Sequence, residues 1–232
     1  MESDEELETG YGIGAPAGDN LCNDYAQGLA EAFMGLAAAR GDRVVSVDAD
    51  VAMSDSGSPS LFGNVVVVRR PIPDAEWPEL ATRVHEFYAG APGGPFIVFS
   101  AWPTPDLTGR GFGRIGHPPL QPFAGRRFIS GDGWSARGWR MWVGYLDGEP
   151  VATAAAYVGP HHVDVEMISA RPEVRGRGVG RAVTATATLA APDRPAMLIS
   201  SDDGYPVYAR LGYVPILRFT LWAGHRTGAP SP

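Results

Sequence analysis

One stretch, Val163 to Ala182, most narrows what this chain can fold into. Val163 to Ala170 alternates apolar and polar residues with the period of a strand. Pro172 ends it, and the run Arg175-Gly-Arg-Gly-Val-Gly-Arg181 opens directly into a helix predicted over about 178–190. Gly176, Gly178 and Gly180 let the backbone approach a ligand closely and expose successive N–H groups. The helix N-terminus adds partial positive charge, and Arg175, Arg177 and Arg181 add whole charges. These are the ingredients of a pyrophosphate site. Other phosphate motifs do not fit: Arg181 stands where a dinucleotide fingerprint needs its last glycine, and a P-loop needs a lysine, of which the chain has none. There is no Gly-x-Ser-x-Gly elbow and no His-Glu-x-x-His zinc motif.

The remaining elements alternate in type, which predicts an α/β fold with a mixed sheet. Helices are expected over 23–40, 75–89 and 206–211. In the first of these, Tyr25, Leu29, Phe33 and Leu36 share a face, and Gly41 sits at the C′ position. Strands are expected over 44–51, 64–70, 96–100, 141–145, 151–158, 163–170, 197–201 and 216–222, with 102–137 loop-rich. Asp147-Gly148 predicts a tight hairpin. Sliding the chain by 101 residues superposes Arg70-Pro71 on Arg171-Pro172, helix on helix, strand 97–100 on 198–201, and Gly111-Phe112 on Gly212-Tyr213, without a gap. The two halves therefore read as copies of one unit. The expected division is an acidic, Gly-rich mobile tail over 1–20, halves over 21–130 and 131–226, and a short tail over 227–232.

Charge separates the halves. Residues 1–120 carry 7 arginines against 17 carboxylates, and residues 121–232 carry 12 against 9. An acidic first half argues against nucleic acid as a partner. No apolar run is long enough to span a bilayer, and the acidic N-terminus is unlike a secretory leader. The lone Cys22 forms no internal disulfide and no multi-cysteine metal cluster. The expectation is a cytoplasmic protein without a metal; a homodimer is compatible with the sequence.

Two segments resemble signatures of the GNAT acetyltransferase superfamily. Arg175-x-x-Gly178-x-Gly180 is similar to its acetyl-CoA-binding motif, and Tyr208-Ala-Arg-Leu-Gly-Tyr213 to its Tyr-x-x-Leu-Gly-Phe/Tyr segment. The resemblance covers roughly residues 139–222 and implies the GNAT fold, acetyl-CoA as acyl donor, and direct attack by a small primary amine. It implies Tyr208 as the acid that protonates the leaving thiolate. It implies backbone groups of Ile168, Ser169 and Ala170 along the pantetheine arm, with Arg175, Gly176, Arg177, Gly178, Val179, Gly180 and Arg181 around the phosphates. The room before Trp139 is too short for the strand and helices that usually open this fold, so the first half must supply that side. That half reads as a degenerate GNAT-like unit. Asp74-Ala-Glu-Trp-Pro-Glu79 replaces the loop with three carboxylates, and Leu107 replaces Tyr208.

For the base, Glu166 comes first and Asp164 second. By period two, residues 164, 166, 168 and 170 share one face, and a carboxylate among Val163, Val165 and Ile168 loses water. His161 and His162 read as exposed turn residues. Trp134, Trp139, Trp142 and Trp222 read as core. The alternatives are a longer acyl-CoA or an O-acceptor in place of acetyl-CoA and an amine, and a non-catalytic CoA-sensing domain.

Overall fold

The computed structural model describes residues 20–40, 44–90, 93–122, 134–136 and 138–226. Gly41 and the tails 1–19 and 227–232 lie outside these residues. The contacts divide the chain into two units: residues 1–118 with 217–232, and residues 119–216.

The first unit opens with helix α1 (Asn20–Arg40), then strands β1 (Val44–Val47), β2 (Val51–Asp55) and β3 (Asn64–Val68). Helix α2 (Trp77–Tyr88) leads to β4 (Phe96–Ser100) and β5 (Phe112–Gly116). Tyr25, Leu29 and Phe33 are buried as their spacing requires, and α1 packs on β2 and β3. In α2, Trp77, Leu80, Ala81, Val84 and Tyr88 form the buried stripe.

The second unit holds β6 (Pro119–Pro122), β7 (Trp134–Ala136), β8 (Trp139–Leu146), β9 (Glu149–Val158) and β10 (Val163–Ala170). Helix α3 (Val179–Thr188), β11 (Ala196–Ile199) and helix α4 (Tyr205–Leu211) follow. The chain then returns to the first unit through β12 (Leu217–Arg218) and β13 (Thr220–Gly224). The expected strand 216–222 is thus two strands. The loop-rich segment 102–137 carries β5, β6 and β7, short strands in a Pro/Gly-rich context that hides their alternation.

The first sheet has the order β1-β2-β3-β4-β13-β5, antiparallel except for β3 and β4. The six strands of the second unit run β6-β11-β10-β9-β8-β7, antiparallel except for β10 and β11. Both sheets are therefore built around a parallel strand–helix–strand crossover, as the 101-residue offset predicts. The same offset places 119–122 on 220–223. Yet β13 lies between β4 and β5, while β6 pairs with β11. Each repeat thus sends its last strand to the other sheet. Residues 217–226, expected in the C-terminal half, belong to the first unit for this reason.

In the second unit, α3 packs on β8, β9 and β10. Small residues permit the close approach: Ala152, Ala154 and Ala156 on β9, and Gly144 on β8. A Cβ at Gly144 would lie 2.7 Å from Cγ1 of Val183 and 3.2 Å from that of Val179. Gly144→Val is expected to cost about 1–3 kcal/mol, as overpacking does, in urea denaturation. A loss below about 0.5 kcal/mol, the range of a neutral surface change, would mean that α3 can move off the sheet freely.

Candidate functional site

The end of β10 delivers the chain to a 3₁₀ turn over Pro172–Val174, whose Val174 is buried in the core. The Arg/Gly loop follows, with Gly176 at φ +77° and Gly178 at φ +83°. A side chain is strained at either angle, which is why glycine stands there. Gly178 is the N-cap of α3 and offers no side-chain acceptor. The first helical amide bond runs from Ala182 N–H to Gly178 C=O, so the amides of Val179, Gly180 and Arg181 have no carbonyl of a preceding helical turn to meet, while those of Arg175 and Arg177 donate to the Pro172 and Val174 carbonyls.

A cavity of about 770 Å³ lies against this helix end. Ala170, Arg175, Gly176, Gly178, Val179, Gly180 and Arg181 line one side, and Asp203, Gly204, Val207 and Arg210 the other. A second hollow of about 330 Å³ shares Gly178 and Arg181 with it and runs along α3 past Ala182, Ala185 and Leu189 to Leu211. Arg177 is not in the lining; its guanidinium lies 3.7 Å from Asp147 at the hairpin tip.

The strand behind the cavity departs from period two. Glu166 stands opposite Ala155, but Ser169 stands opposite Thr153, so one extra residue is inserted in β10. The bulge centres on Met167, at φ +53°. Asp164, Glu166 and Ser169 consequently share one face, while Ile168 and Ala170 turn to the core with Val163 and Val165. The expected common face of 164, 166, 168 and 170 is corrected on this point: a bulge exchanges faces beyond it.

The same bulge coincides with the parting of β10 and β11. These strands pair only at Val163–Ala196 and Asp164–Met197. Beyond them, among the described residues, the β11-facing edge of β10 has no strand partner. Arg171 N–H donates to Val151 C=O. By the alternation of an antiparallel ladder, Ala170 next to it turns its N–H and C=O away from β9, into the gap. Ser169 turns its own toward β9, and the Ile168 side chain is in the core. The ladder thus turns the backbone of Ala170, one of the three residues expected along the pantetheine arm, toward the gap.

Tyr208 sits on α4, half-buried, above Gly204. A Cβ at Gly204 would lie 2.9 Å from Cε2 of Tyr208, so the ring rests on a bare Cα. Burial pushes the Tyr208 hydroxyl above the ordinary tyrosine range, and the charge of Glu166 pushes it in the same direction. The predicted acid is therefore fully protonated at neutral pH, and Glu166 is close enough to affect it electrostatically.

Asp164 is placed differently. It is fully buried, 2.8 Å from Nε2 of His162, whose side chain is 4% exposed. His162 is thus not the exposed turn residue its sequence suggests, and Asp164, the second candidate base, loses water as expected but is enclosed beside it. His161 is exposed. Trp139 and Trp222 are buried, the latter in the first unit, and Trp142 packs on the core; the side chain of Trp134 is outside the described residues. The sequence reading missed Asp203, Gly204, Val207 and Arg210. Arg210 lay inside the quoted Tyr208–Tyr213 segment, and its spacing of three from Val207 was the available signal.

The described residues of the first unit differ at each of these points. β2 and β3 pair without a shift, so β3 has no bulge. β3 and β4 stay paired over Val65–Ile97, Val66–Val98 and Val67–Phe99. Leu107 is 1% exposed, and the void among Trp77, Leu107 and Phe112 is about 10 Å³. Glu76 before α2 is tied to Arg70, which also holds Asp50.

A family profile for the acetyltransferase (GNAT) domain matches residues 137–215. The second unit carries a GNAT acetyltransferase domain. The fold is similar to that of a GCN5-related N-acetyltransferase from Kribbella flavida, with a TM-score of 0.65 at 18% identity, covering 91% of this chain and 97% of that one. It is also similar to a conserved protein of unknown function from Staphylococcus epidermidis, with a TM-score of 0.56 at 13% identity, covering 80% and 94%. No curated protein matches the chain significantly in sequence. Among the described residues, the GNAT domain and the first unit hold no cluster of metal-binding side chains, and no helix is long and apolar enough to cross a membrane.

Proposed function

We propose that the GNAT domain transfers an acyl group, acetyl foremost, from acyl-CoA to a small primary amine. The observation that carries this reading is the 770 Å³ cavity, bounded by a glycine-capped, arginine-bearing helix N-terminus and reaching Ala170 beside the β10–β11 gap. The loop amides, Arg175, Arg181 and Arg210 suit a pyrophosphate. The hollow along α3 suits the adenine end, and the gap beside Ala170 suits an extended amide-bearing arm. In the transfer, Glu166 takes a proton from the amine, directly or through water. The amine nitrogen bonds to the thioester carbon, the carbon–sulfur bond breaks, and Tyr208 gives its hydroxyl proton to the leaving thiolate. Asp164 holds His162 and takes no part.

The acidic, fully paired first unit supports a single cofactor site per chain. Titration calorimetry is expected to give one CoA per chain; two equivalent sites would overturn the assignment. Gly178→Glu is expected to abolish that binding in a folded protein, since a carboxylate at the helix N-terminus repels pyrophosphate by several kcal/mol at an intermediate dielectric. The φ of +83° adds strain of about 1–2 kcal/mol to any side chain here. Gly178→Asn, which tolerates that angle, is the control and keeps most of the affinity. Transfer to a panel of amines then separates an enzyme from a CoA sensor, which would bind and not turn over.

A further inference from the structure

Tyr213 is 2% exposed, and its hydroxyl lies 2.7 Å from Oγ1 of Thr188. Thr188 has already given its one hydroxyl proton to the Thr184 carbonyl, at 2.8 Å. Tyr213 is therefore the donor and Thr188 the acceptor. Thr184 in turn donates to the Gly180 carbonyl, at 2.8 Å. A file of hydrogen bonds thus descends the inner side of α3, from Tyr213 to the last glycine of the Arg/Gly loop. At its other end, Tyr213 N–H donates to the Tyr208 carbonyl, at 3.1 Å. The two rings meet edge to face, with centroids 6.1 Å apart and planes at 72°. Gly204 beneath the Tyr208 ring leaves it no side chain to rest on from below.

We propose that Tyr213 is a positioning residue: its hydroxyl bond to Thr188 fixes Tyr208 relative to the cofactor loop. This rests on the acyl-transfer reading above, in which Tyr208 must reach a thiolate whose position the loop sets. A phenylalanine at 213 would keep the ring contact and the backbone bond but lose the link to α3. The buried hydroxyl thus gives the residue that follows the acid-bearing helix a directional contact with the phosphate-binding helix. Because reacting groups need near-contact alignment, even small displacements of an acid are costly to rate.

Two variants test this, Tyr213→Phe and Thr188→Val, each removing one partner of the bond. Tyr213→Phe is expected to bind CoA within about twofold of the parent, because it touches neither the loop nor the hollow along α3; Thr188 lines that hollow, so the rate of Thr188→Val is measured at saturating acetyl-CoA. Both are expected to release thiol from acetyl-CoA about tenfold more slowly in single turnovers with the best amine of the panel, a small misalignment by the scale of orientation effects. Added to Tyr208→Phe, Tyr213→Phe is expected to slow the reaction no further, since it acts through Tyr208. In protein labelled with 3-fluorotyrosine, the ¹⁹F resonance that Tyr208→Phe removes is expected to shift or broaden in both variants. An unmoved Tyr208 resonance, or a rate loss that persists undiminished in the Tyr208→Phe background, overturns the proposal and makes the bond a plain staple of α4. If Tyr208→Phe itself keeps the full rate, the acid assignment fails, while the fluorine signal still decides whether Tyr213 positions Tyr208.

Discussion

Replacing Arg226 with alanine is expected to destabilise the first unit by about 3–5 kcal/mol, the cost of leaving a buried charge without its partner. Arg226 grips both carboxylate oxygens of Asp55, at 2.7 and 2.9 Å, with side chains 2% and 1% exposed. Its Nε donates to the Gly94 carbonyl at 2.9 Å, and its guanidinium carbon sits 5.1 Å from the centre of the Tyr88 ring. It follows β13 directly and so locks the strand returned from the far end of the chain. At about 2–4 °C per kcal/mol for a chain of this size, the thermal midpoint is expected to fall by roughly 10 °C. Calorimetry or circular dichroism measures it. The apolar pair Asp55→Leu with Arg226→Met is expected to recover much of the loss, because most of the penalty is the orphaned carboxylate. A fall of less than about 2 °C, under 1 kcal/mol on that scale, would mean that Asp55 finds water instead and that the clamp is dispensable.

Tyr208→Phe is expected to lower the chemical step by about 10²–10⁴-fold, the usual contribution of general acid catalysis. CoA affinity should hardly change, because in the proposed transfer the hydroxyl acts on a thiolate that exists only as the bond breaks. The raised ionisation range of Tyr208 sets the sign of the pH dependence. The acid must be protonated, so the parent rate should not decline through loss of this proton until above the ordinary tyrosine value of about 10. Single-turnover thiol release checks both points. A folded variant with the full rate would return Tyr208 to a packing role, and a decline from Tyr208 near neutral pH would contradict its buried setting.

These two predictions rest on residues of different legibility. Tyr208 was readable because its segment is local: a short helix closed by Gly212, which takes φ +105°, a conformation that favours glycine. Arg226 was not, because its partner Asp55 lies 171 residues away and no local pattern joins them. The same distinction sorts the candidate base. Glu166 and Asp164 look alike by alternation, yet one is half-buried near Tyr208 and the other is enclosed with His162. The common face of residues 164, 166, 168 and 170 was read from an unbroken strand, and the bulge at Met167 turns Ile168 and Ala170 to the other face. A methionine at φ +53° is not announced by its sequence, since nothing but glycine and, less often, asparagine or aspartate signals that conformation.

What the sequence determined by itself was whatever short-range sterics and periodicity control. Asp147-Gly148 specified the hairpin and takes φ values of +53° and +85°. Gly176 and Gly178 specified a loop that glycine traces without strain, opening α3 without a side-chain cap. The repeated order of strand, helix and strand specified two parallel crossovers. Tertiary structure alone decided which sheet receives each repeat's last strand, since β6 and β13 carry no local mark of their partners. It alone decided that β10 and β11 part after two residue pairs while β3 and β4 stay together. The reason is that strand pairing and bulges are fixed by contacts between residues far apart in the chain, whose energies outweigh local preference and leave no period in the sequence to read.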